Sequence, residues 1–148
     1  MNLDSGRLLA ANVSVVDAAR LADSRYVEDF LRALTARIGM RPLTEPMSVV
    51  IPPEPSSVQD PHADDGGMTT QVIISTSHIA YHSWPLQRRF RLVVDSCKFY
   101  DVRDVMAVLR EWFPVNGLSL QNMLYLPPEM LNAEEAQTVP PQKTETAA

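Results

Sequence analysis

Ser77, His82 and Cys97 are the residues whose types and order suggest chemistry, with Thr69 standing eight positions ahead of the serine. A hydroxyl, an imidazole and a thiol together supply a nucleophile, a base and a proton donor. Taken singly, each has an ordinary reading. Ser77 and His78 close a strand, His82 is a satisfied half-buried imidazole, and Cys97 packs as a small hydrophobe. Other reactive patterns are set aside more easily. The five glycines form no phosphate-cradling loop, since only Gly66 and Gly67 adjoin. Ser77 lies in STSHI, not in the G-x-S-x-G elbow of a hydrolase. His78 and His82, four apart on extended chain, would stand roughly 13 Å from one another, too far to share a metal.

The elements that must position these residues are legible in outline. Leu8–Val16 reads as a first strand. Asp23 and Ser24 precede a helix whose stripe is Val27, Phe30, Leu31, Leu34 and Ile38, and Gly39 ends it. Met47–Ile51 and Thr70–Ser75 predict two further strands, separated by a Pro- and Asp-rich loop at Pro52–Gly67. That loop is long for a compact domain, a property of functional or mobile segments. Phe90–Val94 is a fourth strand. Asp101 caps a second helix carrying Val102, Val105, Met106, Leu109 and Phe113, which Pro114 and Asn116-Gly117 end. Leu118–Leu126 is the last strand. The order β-α-β-β-β-α-β predicts an α+β fold, a two-layer α/β sandwich with a mostly antiparallel sheet and both helices on one face. The other sheet face then needs cover, and a homodimer is the economical way to provide it. Residues 1–126 form this domain; residues 127–148, rich in Pro and polar groups, read as a disordered tail.

Composition narrows the class. With 148 residues, a net charge of −5 and one cysteine, the chain suits one domain without a disulfide framework, in a reducing cytoplasm. The acidic balance argues against a nucleic-acid partner. No apolar run reaches the roughly 18 residues that a membrane span needs.

Gln71–Pro85, QVIISTSHIAYHSWP, resembles the self-processing region of the prokaryotic S-adenosylmethionine decarboxylases. That family has an apolar strand, Ser-Glu-Ser-His, a His-Thr-Trp-Pro-like segment, and a strand leading to a Cys. Here the second His and the Cys follow Ser77 by 5 and 20 residues, as in the family. Thr69 falls where the family has a serine that assists processing, and the likeness extends over roughly residues 6–125. The resemblance implies that the Ser77 hydroxyl attacks the Thr76 carbonyl, and that the resulting ester eliminates. The products would be chains Met1–Thr76 and Ser77–Ala148, the second beginning with a pyruvoyl group derived from Ser77. By the same resemblance His82 assists the elimination, Thr69 holds the processing adduct, and Cys97 protonates the decarboxylated product. The pyruvoyl group is then the only cofactor, with no metal, and spermidine biosynthesis is the setting.

The chain departs from the family at several places. Thr76 replaces the usual Glu before the processing serine, which leaves the attacked carbonyl in place. Leu86 stands where the family has a Glu that binds ribose hydroxyls, and a leucine accepts no hydrogen bond. Ser96-Cys97-Lys98 replaces Thr-Cys-Gly, and the loop at 52–67 replaces a shorter segment. Three functions are therefore weighed. They are decarboxylation of S-adenosylmethionine, pyruvoyl-dependent decarboxylation of another amino acid such as ornithine or arginine, and an unprocessed binding or regulatory paralogue. Arg88, Arg89 and Arg91 read either as a carboxylate clamp or as a solvated turn and strand edge, and the second is the expectation.

Overall fold

The computed structural model describes residues 6–55 and 63–125, and the backbone of 144–147. Nine elements other than one short 3-10 turn follow in order: β1 (Arg7–Val15), α1 (Ser24–Arg37), β2 (Met47–Val50), β3 (Met68–Ile74), β4 (Ser77–Trp84), β5 (Arg89–Ser96), α2 (Val102–Trp112), β6 (Val115–Leu124) and β7 (Thr144–Ala147). The 3-10 turn, Pro85–Gln87, joins β4 to β5. The strands form one sheet in the order β2-β3-β4-β5-β1-β6-β7, and every pairing is antiparallel. The expected α+β sandwich is therefore present. No helix among the described residues is long and apolar enough to cross a membrane.

Both helices start where an aspartate side chain caps free backbone amides. Asp23 accepts from the Tyr26 amide and Asp101 from the Arg103 amide. The predicted stripe of α1 is buried along its whole length, from Val27 to Ile38, and Gly39 follows in the left-handed region at φ 72°. In α2, Val105 and Leu109 are buried, and so is Phe113 just beyond the helix. Phe113 is the meeting point of the two layers, with ring centroids 4.7 Å from Phe90 and 5.0 Å from Phe30. Such aromatic pairs add to the area they remove from water.

Strand alternation sorts the sheet into a helix-facing side and an open side. Val72, Ile79, Val94 and Leu9 form one cross-strand row of the helix side, and Thr70, Tyr81, Leu92 and Ala11 form the next. All eight of these residues are buried.

Two readings of the sequence need correction. β4 is a full strand over a segment whose own pattern did not declare one. Its helix-side positions are Ser77, Ile79, Tyr81 and Ser83, so half the inward residues are polar and the apolar alternation is broken. Ser83 is nonetheless buried, and its Oγ accepts the Met68 amide at 3.1 Å. Asn116-Gly117 lies inside β6 and not in a turn. A Cβ at Gly117 would meet the Ser14 hydroxyl, so the glycine serves close approach of two strands. Of the expected tail at 127–148, residues 144–147 pair with β6, and 126–143 and 148 lie outside the described residues.

Candidate active site

The β3–β4 hairpin carries the candidate residues. Ile74 pairs with Ser77, so Ser75 and Thr76 form its two-residue tip, and the Thr76–Ser77 bond sits where tip becomes strand. Thr76 is exposed and Ser77 half-buried. Across β5, Ser77 pairs with Ser96, which places Cys97 just past the strand end beside this tip. Cys97 is exposed, so it does not pack as a small hydrophobe. Gly6, just ahead of β1, presses against its backbone: a Cβ there would land on the Ser96 carbonyl and the Cys97 backbone. Ser77 and Cys97 thus share one end of the sheet.

Thr69 and His82 meet at the other end. They are register partners between β3 and β4, and the Thr69 hydroxyl lies 2.9 Å from His82 Nδ1. Both side chains face the open side. Burial, and secondarily the positive charge of Arg91, lower the pKa of His82 and favour the neutral imidazole that a base requires. Arg91 is the register partner of His82 and donates through Nε to Asn12 Oδ1 at 3.0 Å.

One row further on, the Arg89 guanidinium lies 4.3 Å above the Trp84 ring and donates to Gln87 at 2.7 Å. Arg88 alone of the three arginines sits in the turn, exposed and at φ 52°. Arg89 and Arg91 point to the same open face as His82, a placement that their reading as strand edge did not foresee. Period-two alternation from Arg89 through Arg91 to Val93 was the available signal.

Leu86 is 68% exposed in the 3-10 turn. Its amide is held by Asp65, whose Oδ2 accepts it at 3.0 Å. Asp65 is buried, and that burial raises its pKa against the pull of these amides and of Arg89. Sequence reasoning missed Asp65, which fastens the end of the long loop to the turn after Trp84. A lone acid in a Pro- and Asp-rich loop offers no pattern to single it out.

The two ends are distinct. Ser77 and His82 are five residues apart on one extended strand, so roughly 17 Å of backbone separates them. Within one chain the structure brings Thr69 to His82 and Cys97 towards Ser77, and it does not bring the two pairs together. Between them the open face carries Ala10, Ala80 and Val93, three register neighbours with small or branched apolar side chains. His78 and His82 lie on this same face four residues apart, and no group of three potential metal ligands occurs among the described residues.

A family sequence model described as S-adenosylmethionine decarboxylase matches residues 7–124. No curated protein sequence matches the chain. Among solved structures, the adenosylmethionine decarboxylase from Aquifex aeolicus VF5 is similar in fold, with a TM-score of 0.61 and 17% identity. The alignment covers 87% of this chain and 98% of that one.

Proposed function

Since this chain belongs to the S-adenosylmethionine decarboxylase family, we propose that it is a self-processing, pyruvoyl-dependent decarboxylase acting on S-adenosylmethionine, a route to the aminopropyl donor of spermidine. The observation that carries this reading is the hairpin tip. A peptide bond between an exposed Thr76 and Ser77 can be cut without opening the core. β3 remains paired with β2 and β4, and β4 with β3 and β5. A pyruvoyl group at position 77 supplies an electrophilic carbonyl that condenses with a substrate amine and takes up the electrons released as CO2 departs. The chain's own residues do the rest. Ser77 provides the attacking hydroxyl, Thr69 and the neutral His82 hold and move the processing proton, and Cys97 presents a thiol proton at the Ser77 end.

Because the Thr69–His82 pair lies roughly 17 Å along the strand from Ser77 of its own chain, the working unit is a homodimer. Two sheets packed open face to open face, with strand directions reversed, set the His82 end of one copy over the hairpin tip of the other, where the Thr76–Ser77 bond stands at the end of the strand. The apolar middle of that face would be covered by the same contact. Neither nucleic acid nor membrane has a part in this scheme, and the setting is cytoplasmic.

Leu86 favours a second reading, in which the substrate is another amino acid such as ornithine or arginine. An exposed leucine offers no acceptor to a ribose diol. Two experiments test these statements. Co-expression of Ser77→Ala with His82→Ala chains should restore cleavage of the His82→Ala chain, although neither variant is cut alone. Failure of that rescue in mixed dimers would overturn the shared site. Release of labelled CO2 from S-adenosylmethionine, ornithine and arginine then decides the substrate, and turnover of an amino acid without S-adenosylmethionine would replace the first reading by the second. An uncut chain would point to a binding or regulatory paralogue.

A further inference from the structure

The open face of the sheet is polarised along β5. Arg91 and Asp95 both point to it, two residues to either side of Val93, and their register partners on β4 are His82 and His78. Arg91 is exposed and donates through Nε to Asn12 Oδ1 at 3.0 Å. Asp95 is half-buried; its Oδ1 accepts the Tyr125 phenol at 2.8 Å, and its Oδ2 lies 3.9 Å from His78 Nδ1. Among the described residues no carboxylate pairs with Arg91, and no lysine or arginine pairs with Asp95. The row between these two ions runs Met47, Gln71, Ala80, Val93, Ala10 and Gln121, and it carries no charge. The further cation of this face, Arg89, lies at the same end as Arg91, 4.3 Å above the Trp84 ring. The face is therefore cationic at its His82 end, neutral in the middle and anionic beside the hairpin tip.

We propose that two copies of this chain pack open face to open face about a two-fold axis that crosses the strands at Val93, so that Arg91 of each copy pairs with Asp95 of the other. This rests on the homodimer of the reading above and fixes its register. Rotation about such an axis reverses the strands and lays β5 on β5. It carries the position two residues before Val93 onto the position two residues after it, which sets a guanidinium over a carboxylate twice. On β4, Ala80 meets its own copy, and His82 comes over His78 of the second copy, the residue next to the processing serine. Packed sheets stand roughly 10 Å apart, a gap that arginine and aspartate side chains close from opposite faces. Turning the second copy about the strand direction instead lays Arg91 on Arg91 and Asp95 on Asp95. That contact would bury like charges together, whereas the crossing axis gives each ion its counterion. The charge pattern thus selects the same reversed packing that the separation of His82 from Ser77 requires, and it does so from residues which that distance does not involve.

Oligomeric state tests this in a Ser77→Ala background, where every chain is uncut and neither processing nor turnover enters. Sedimentation at low salt gives the dimer dissociation constant. In its own dimer Arg91→Asp sets carboxylate against carboxylate at two places, and Asp95→Lys sets cation against cation. Each variant alone should therefore dissociate roughly tenfold more readily than the parent, or more. An equimolar mixture should form a heterodimer of near-parent affinity, because each altered side chain then meets its opposite. The parent dimer should also weaken as salt rises. Val93→Cys combined with Cys97→Ser, which makes the new thiol the chain's only one, should cross-link to its own copy through a short bismaleimide; this reads the axis with both charges intact. Should Asp95→Lys not fold by circular dichroism, Arg91→Asp and the cross-link decide. Reversal variants that dimerise like the parent, a mixture no tighter than either variant alone, or a Val93→Cys chain that does not cross-link would each overturn the proposal. A parent that stays monomeric would overturn the homodimer with it. A wild-type chain that is never cut would overturn the pyruvoyl reading instead, and the mixing experiment would still decide the register.

Discussion

Ser83→Ala tests whether the segment around His82 is the strand described here. Ser83 is buried, and its hydroxyl oxygen accepts the Met68 amide at 3.1 Å. Alanine removes that acceptor and leaves a backbone N–H inside the protein with no partner. A buried donor stripped of its acceptor costs about 1–3 kcal/mol. At about 2–4 °C per kcal/mol for a chain of this size, the melting midpoint should fall by about 2–12 °C. The comparison belongs in a Ser77→Ala background, so that both proteins are uncut and chain cleavage does not confound stability. Thermal unfolding followed by circular dichroism gives the midpoint, and hydrogen exchange at Met68 gives the local effect, with faster exchange expected in the variant. A stability change within about 0.5 kcal/mol of zero, the range of an ordinary surface substitution, would refute the inward placement of Ser83. The register that pairs His82 with Thr69 would fall with it.

Further outcomes follow from the same geometry. The folded-state pKa of His82 is lowered by burial and by Arg91, so its neutral form contributes stability that is full above the unfolded value near 6.5 and is lost as pH falls through the folded value. Denaturant titrations should accordingly show a shallower loss of stability on acidification in His82→Gln, and NMR titration of Arg91→Gln should find the His82 pKa raised; no change in either would contradict the assignment. Gly6→Ala should lower the melting midpoint and alter the alkylation rate of Cys97, because its methyl group would meet the Ser96 carbonyl and the Cys97 backbone. An unchanged rate would show that Gly6 does not press on the Cys97 backbone. Asp101 caps α2 and pairs with Arg103, which together hold its carboxyl down to about 2. Its contribution is therefore present above the usual carboxylate range and fades as pH falls towards 2; Asp101→Ala should lower the midpoint at neutral pH and have little effect near pH 2.

Much of this fold was legible in the residues, and the places where it was not have physical reasons. α1 and α2 were readable because each has an uninterrupted apolar stripe and an aspartate cap, two independent signals for one element. β4 was obscure because Ser77 and Ser83 occupy inward positions, so polarity no longer marked the outward face. Gly117 was misleading for a related reason: a glycine required by the nearness of Ser14 looks, in sequence, like a glycine required by a turn.

At the candidate site, the resemblance supplied the names Thr69, Ser77, His82 and Cys97, and the register supplied their grouping. A spacing of five residues says nothing about reach until the segment is known to be extended. Once β4 is a strand, His82 must be far from Ser77, and the proposed second copy of the chain follows from that distance. The roles of Arg89 and Arg91 turn on the same point, since their face is fixed only by alternation along β5.

The most direct test of the account is the intact mass of the purified protein under denaturing conditions, measured beside Ser77→Ala. Two fragments meeting between Thr76 and Ser77, the second with a blocked N-terminus, and a single uncut chain for the variant are the predicted result. One full-length wild-type chain after long incubation would contradict it.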